Sequence, residues 1–571
     1  FKEITLPDSL TEVGANTFAD CTSLVTANLQ SNAASVSAGE FSNCTSLTTV
    51  TNLPTVQDIG ASAFYHCGAL SDIGTAGSLS NVQSIGANAF TDCTSLTELG
   101  SLNSLVTVGD RAFLNCAGIP KLENVNKVQT IGNSAFENCS EIAEVGTLDA
   151  LTSVGNSAFK NCSKIPSIQN VANVETIGDS AFENCTALAE LGDIPKVTSI
   201  GAKAFSACAL LPSVSDVPVL VSIGDNAFYG CTNLSQVGMA SALTSIGNSA
   251  FMDCSNLTGI GEAPAITSIG SSAFKNCSAL TAFIVPEGVT AIKDSTFENC
   301  TSLTEANIDS VTTIGNNAYS GCTALTKAIF RKANSVGNYA FYNCGNMVTA
   351  STHIPTRIGS YAFADCSSMT NSMLNSSLTS LGSYAFTNCT SMGGWLTIPK
   401  GITYIPEGVY KGCTGIESVS FHADLKEVGV RSFEGCTALT GIYNLASATG
   451  LYFIRDYAFY NCENLKTGVK FPSGFGYVES FAYYPIGRYS FANTGITSVD
   501  FPKQYFATGN NAFANCKNLK TVTMHSFSKT LIGSNTFYNC PSLTSITVYG
   551  TYYAPSGSPW GATNAKVECI R

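Results

Sequence analysis

The residues of this chain with the means to do chemistry are its 23 cysteines, its four histidines and ten Asn-x-Ser/Thr sequons. Thiolates bind soft metals or act as nucleophiles, imidazoles move protons, and a sequon amide accepts a glycan. Spacing argues against each use. Twenty-two of the cysteines fall in a single slot of a repeat, from Cys21, Cys44 and Cys67 to Cys516 and Cys540, and from Cys93 to Cys300 the step is 23 residues nine times running. No Cys-x2-Cys pair of a zinc site occurs. Stacked copies would bring neighbouring cysteine Cα atoms within disulfide range, but their side chains would run parallel. The spacing therefore predicts buried free thiols acting as small hydrophobes, suited to a cytosol or an anaerobic exterior. Cys569 lies outside the ladder and is the one thiol expected to react.

His66, His353, His422 and His525 sit in different copies and slots and make no dyad. With no nucleophile elbow, P-loop, HExxH or calcium loop in the sequence, the expectation is a protein without catalysis, cofactor or metal. Seven of the sequons have the form Asn43-Cys44-Thr45 and arise where a structural Asn precedes the repeat Cys.

The elements that position these residues follow from the repeat itself. Counting Thr494 as a replaced Cys gives 23 copies. In Ile131 to Val145 the recurring apolar residues are Ile131, Ala135, Phe136, Cys139, Ile142 and Val145. The step from Ala135-Phe136 to Cys139 has helical spacing and Ile142 to Val145 has extended spacing, so one helical turn and one short strand per copy are expected. The slot before the Cys holds Asn in 13 copies, Asp in four and Gly in four, with His66 and Ala207 besides. These residue types tolerate positive φ, which marks the slot as a left-handed cap. A Gly four residues before the Phe in 19 copies suggests a tight corner. One copy buries too little to fold alone, so stability must come from stacking neighbours.

The spacing Ile-Gly-x-x-Ala-Phe-x-x-Cys-x-x-Leu-x-x-Val resembles the BspA-like leucine-rich repeats over nearly the whole chain. Copies with Pro after the strand, such as Ile4-Thr5-Leu6-Pro7, Phe283-Ile284-Val285-Pro286 and Leu396-Thr397-Ile398-Pro399, lie nearest the family pattern. Cys93 to Cys277 replaces that segment with forms such as Leu99-Gly100-Ser101-Leu102. The resemblance implies a repeat solenoid: a right-handed leucine-rich-repeat horseshoe or superhelix of about 23 repeats, with a parallel β-sheet on one face and short helical turns on the other. It also implies a solenoid over 1–550 and a C-terminal capping segment over 551–571, with Trp560 as the lid. Extracellular or cell-surface display and adhesion to host or matrix proteins, or to another cell surface, follow from the same resemblance. The opening Phe1-Lys2-Glu3-Ile4 is already strand-like, as expected of a fragment or processed product.

Bulk properties narrow the partners. Residues 1–280 carry 9 Lys and Arg against 24 Asp and Glu, which disfavours nucleic acid there, and no apolar run is long enough to span a membrane. Two surfaces are candidates for protein binding. On the strand face, Glu98, Glu144 and Glu190 recur every second copy, with Lys121 and Ser167 between them. In the C-terminal third, which holds 15 of the 22 Tyr and both Trp, an insertion carries Phe475, Tyr477, Phe481, Tyr483 and Tyr484. Exposed rings on a projecting loop are typical of binding surfaces; packed back, they would be local core. The leading expectation is a non-enzymatic binding or adhesion protein, and the alternative is a structural protein that self-assembles into a surface layer or filament.

Overall fold

The computed structural model describes residues 1–571 apart from 74–78, 351–354, 477–483, 504–505, 526–530, 552, 554–555 and 571. They form two compact units, Phe1–Val289 and Thr290–Arg571, and each unit is a β-solenoid built from one kind of coil.

A single coil shows why the repeat reads as it does. Strand Thr130–Ile131 leads into a run of hydrogen-bonded turns over 132–139, strand Glu144–Val145 follows, and the chain returns to strand Ser153–Val154 of the next coil. The turn run is not the helical turn that the spacing predicts. Its amide hydrogens alternate: those of Ala135, Glu137 and Cys139 bond three residues back, to Gly132, Ser134 and Phe136, while those of Ser134, Phe136 and Asn138 bond forward to Asn156, Ala158 and Lys160 of the next coil. Half of the polar backbone groups thus close turns and half stitch coils together, which a helix could not do because all its amides bond within itself. The only helical pieces among the described residues are two 3-10 turns, Leu53–Thr55 and Leu445–Ser447.

The second difference is the number of strands. Most coils carry two short strands on separate sheets rather than one. In the first unit the strands just before the Gly slot form an 11-stranded parallel sheet from Ser35–Val36 to Ser268–Ile269, with equivalent residues paired throughout. The strands after the Leu form shorter sheets, including Lys121–Leu122 with Glu144–Val145 and Gln236–Val237 with Gly259–Ile260. In the second unit the same two positions give sheets of three and five strands, the last running from Val469–Lys470 to Lys566–Ile570.

Each inward slot becomes a ladder. Twelve phenylalanines from Phe18 to Phe274 stack at 5.1–5.6 Å in the first unit, and Phe297, Tyr319, Phe341 and their successors do so in the second. Such pairs add about 0.5–1.5 kcal/mol each beyond the burial of the rings. The cap slot behaves as its composition predicts: all 23 residues in it have positive φ, including His66 at 58° and Ala207 at 61°. The Gly slot has another cause than a left-handed corner. Gly178 lacks positive φ, and a Cβ there would lie 2.6 Å from the backbone nitrogen of Asn156 in the preceding coil. Glycine is required because two backbones touch.

Candidate binding surface

The cysteine ladder is structural. Cys139 is buried and its Sγ–H donates to the Phe113 carbonyl of the preceding coil at 3.1 Å; Cys116, Cys162 and Cys185 repeat the contact. The Phe carbonyl already accepts the amide of the Cys three residues on, so the thiol fills its second lone pair from inside the core. Burial pushes the Cys67 and Cys162 thiols up to about 12, which keeps them protonated and unreactive. Cys569 is only partly buried, in strand Lys566–Ile570 beside Val548.

Histidines are likewise apart. His66 pairs with Asp92 at 3.1 Å, His422 Nε2 meets the Ile402 carbonyl at 3.1 Å, and His525 pairs with Asp500 at 2.7 Å; His353 lies outside the described residues. Among the described residues no cluster of His, Cys, Asp and Glu could hold a metal ion. The cap asparagines form a ladder of their own, in which the amide NH2 groups of Asn138, Asn161 and Asn184 donate to the preceding cap oxygen at 2.7–2.8 Å. In these sequons the nitrogen that would carry a glycan is already committed to a neighbouring coil.

The sequence-predicted surface residues divide. Glu98, Glu144 and Glu190 are all exposed. They are not bare carboxylates: Lys121 is paired directly with Glu144 in the sheet and bonds Glu123 at 2.6 Å, with Glu123 foremost and then Glu144 and Glu98 raising its pKa. Glu190 accepts from the Gln169 side chain at 2.9 Å. Of the five rings of the aromatic insertion, Phe475 and Tyr484 lie among the described residues. Phe475 is fully buried and packs against Phe471 at 4.7 Å, which removes it from any binding surface. Tyr484 is 48% exposed, and Tyr477, Phe481 and Tyr483 lie outside the described residues.

The structure instead presents aromatics on strands of the second unit. Trp395, in strand Gly394–Thr397, is 63% exposed; Tyr443, at the end of strand Gly441–Tyr443, is 42% exposed. Their rings stack at 4.4 Å and 29° even though strand Ile416–Ser420 runs between them. The pair therefore lies across the intervening strand, and Ser418, which faces Trp395 in the register, is buried to 4% exposure. The register shift between Gly394 and Trp395, with Gly394 at φ 77°, sets the indole in this orientation. In the adjacent sheet of the same coils, Tyr404 is 56% exposed with Lys426 Nζ over its ring at 5.7 Å. Arg455 lies 3.9 Å over Phe453 and bonds Glu427 at 2.8 Å, and Tyr452 is exposed beside them. Rings held by stacking and by cations lose little freedom when they dock, and Trp, Tyr and Arg dominate binding energy at interfaces. The enrichment of Tyr and Trp beyond residue 394 was the available signal, but it did not say which rings face outward.

No curated protein matches the chain. Among solved structures it is similar to a leucine-rich repeat protein from Bacteroides ovatus, at 24% identity over 74% of this chain and 88% of that one, with a TM-score of 0.42. It is also similar to the leucine-rich repeat protein of T. pallidum, at 26% identity over 31% of this chain and 72% of that one, TM-score 0.23. A leucine rich cell surface protein from Faecalibacterium prausnitzii matches at 21% identity over 78% and 87%, TM-score 0.21. The family model for the BspA type leucine rich repeat region matches six times, over residues 1–83, 75–189, 189–300, 262–356, 334–466 and 440–554. With the thiol, phenylalanine and asparagine ladders accounting for the slots of that repeat, the chain belongs to the BspA-type leucine-rich repeat family.

Proposed function

We propose that this protein is a non-enzymatic, surface-displayed adhesion protein that captures a protein partner on the aromatic strands of its second unit. The observation that carries the reading is the Trp395–Tyr443 stack, a flat and exposed pair of rings held in place before any partner arrives. Tyr404, Tyr452, Lys426 and Arg455 on the adjacent sheet add amphipathic and cationic contacts, so the partner that fits presents apolar side chains bordered by carboxylates. Display outside a cell is supported by membership of the BspA-type family.

The test is adherence of the full chain to a solubilised basement-membrane preparation, read by biolayer interferometry. Replacing both Trp395 and Tyr443 with Ser is expected to weaken binding at least 30-fold, since truncating an interface hot spot costs about 2 kcal/mol or more. Because both rings are exposed, the double variant should keep its circular dichroism and unfolding midpoint. Unchanged adherence by a folded double variant would overturn the assignment.

A further inference from the structure

We infer that a cleft in the first unit, between strand Gly259–Ile260 and the segment 281–288, receives an extended peptide from another protein, one with apolar residues flanked by basic ones, which adds to the sheet edge as a strand.

The cleft exists because a ladder stops. Gly238 donates its amide hydrogen to the Val214 carbonyl at 2.9 Å and Gly261 to the Val237 carbonyl at 2.8 Å. The next rung would run from residue 284 to the Ile260 carbonyl, and it is missing. The amides of Ala282, Ile284 and Val285 and the carbonyl of Ile260 have no hydrogen-bond partner among the described residues, and the three-stranded sheet ends at Gly259–Ile260. The sequence explains the break. A Cβ at Gly238 would meet Asp216 backbone nitrogen at 2.6 Å, and one at Gly261 would meet the Gly238 carbonyl carbon at 2.7 Å. Among the described residues the rung forms with glycine in this slot at Gly146, Gly192, Gly238 and Gly261, and is likewise absent where the slot holds Gln169 or Ser215; in the next coil it holds Ile284. The chain there must stand away from its neighbour.

Standing away opens the core. Val214 and Val237 are buried in the regular coils, but Ile260, Phe283 and Val285 are only half-buried, and Ile284 is 88% exposed. The resulting cavity has a volume of about 760 Å³ and is lined by Ile260, Pro264, Ile266, Phe283, Val285 and Pro286. A Cβ built on Gly259 meets nothing within 4 Å. Unpaired amides and a carbonyl beside this apolar space ask for a backbone as well as side chains, which a lipid tail or an apolar small molecule cannot supply. Charge chooses among peptides. Glu262 and Glu287 stand exposed among the lining residues, which include no Lys or Arg. A second copy of this chain would bring the same two carboxylates to the contact, whereas a peptide with Lys or Arg beside its apolar residues meets them favourably.

The test uses the full chain and a labelled peptide, Lys-Val-Thr-Val-Thr-Val-Lys, followed by fluorescence anisotropy. Saturable binding is expected, weakened at least tenfold by Glu in place of both Lys and by Ile284→Asp, a change on an exposed side chain that leaves the coil folded. N-methylation of alternate residues should abolish binding when placed on one edge of the peptide and leave it intact on the other. The Trp395 and Tyr443 double variant should bind the peptide normally, so the two surfaces are separable. Absence of saturable binding, or equal tolerance of N-methyl groups on both edges, would overturn strand addition. Concentration-dependent dimers in light scattering that vanish on Ile284→Asp would give the cleft to a second copy and overturn the peptide.

Discussion

Single residues in this protein are chosen by what they offer the coil before and after them. Cysteine is small enough for the core and still donates to a carbonyl. At the one replaced position the Thr494 hydroxyl turns to Phe491 within its own coil at 2.8 Å and leaves Cys516 to make the usual inter-coil contact. Glu40 is the opposite case, a carboxyl in the slot that holds Ala63 and Ala89 in the next two coils. It is 1% exposed, one oxygen accepts the Ser37 amide at 2.8 Å, and the other is buried without a partner. Burial raises its pKa to about 7. The folded chain thus holds this proton more tightly than the unfolded chain. Its contribution is fully present below the unfolded value near 4.5 and is lost as pH rises to about 7, a loss of roughly 3 kcal/mol at most. Hydrogen exchange in residues 35–65 should accelerate between pH 5 and 8 after correction for the intrinsic rate. Glu40→Ala should flatten that dependence, and an unchanged profile would contradict a buried, protonated Glu40.

The cap slot was legible in the sequence because Asn, Asp and Gly fill it. A second left-handed slot four residues earlier was not: Ser134 has φ 53°, Arg111 56°, Lys203 56° and Tyr339 57°, and no common composition betrays it. The conformation there is imposed by the forward hydrogen bond that each such residue donates to the next coil, a tertiary demand that outweighs local preference.

At the level of elements, the inward pattern gave the coil and its parallel strands, while the helical turn and the single strand per coil were misjudged. Two-residue strands carry too few positions to show alternation. The glycines between strand and turn separate the two kinds of backbone approach. Gly178→Ala places a methyl 2.6 Å from the Asn156 backbone nitrogen and should destabilise the chain by about 1–3 kcal/mol or more. Gly259→Ala enters empty space and should stay within about 0.5 kcal/mol of the parent. Urea denaturation of the two variants compares them directly; equal costs would refute backbone contact as the reason for the glycines. The aromatic surface escaped a sequence reading for a related reason. Loop insertions were the natural place for exposed rings, yet Phe475 fell into the core and Trp395 was turned outward on a strand by a register shift that no residue pattern announces.

In the molecule as a whole, each of the two units repeats one nearest-neighbour contact many times, so its stability is close to a sum over coil interfaces and its defects are local. Ile284 disturbs one such interface, while the coils before it keep their register in the 11-stranded sheet. Acidic residues are concentrated in the first 280 positions, while the aromatic strands lie in the second unit. A basic-flanked peptide and a carboxylate-bordered partner would therefore engage separate units of one chain.

The alternating amides of the turn run have a mechanical consequence. Strands lie across the direction in which coils stack, and the bonds from Ser134, Phe136 and Asn138 to the next coil lie along it. Tension applied along the stack loads those bonds one coil at a time, as in peeling a tape, rather than all strands together in shear. Optical-trap extension of either unit should show a train of small, nearly equal ruptures, each releasing roughly 76–83 Å of contour for a coil of 23 residues; a single cooperative rip would rule this out. A stack of this kind would lengthen coil by coil under low, steady force while the coils not yet reached keep their fold.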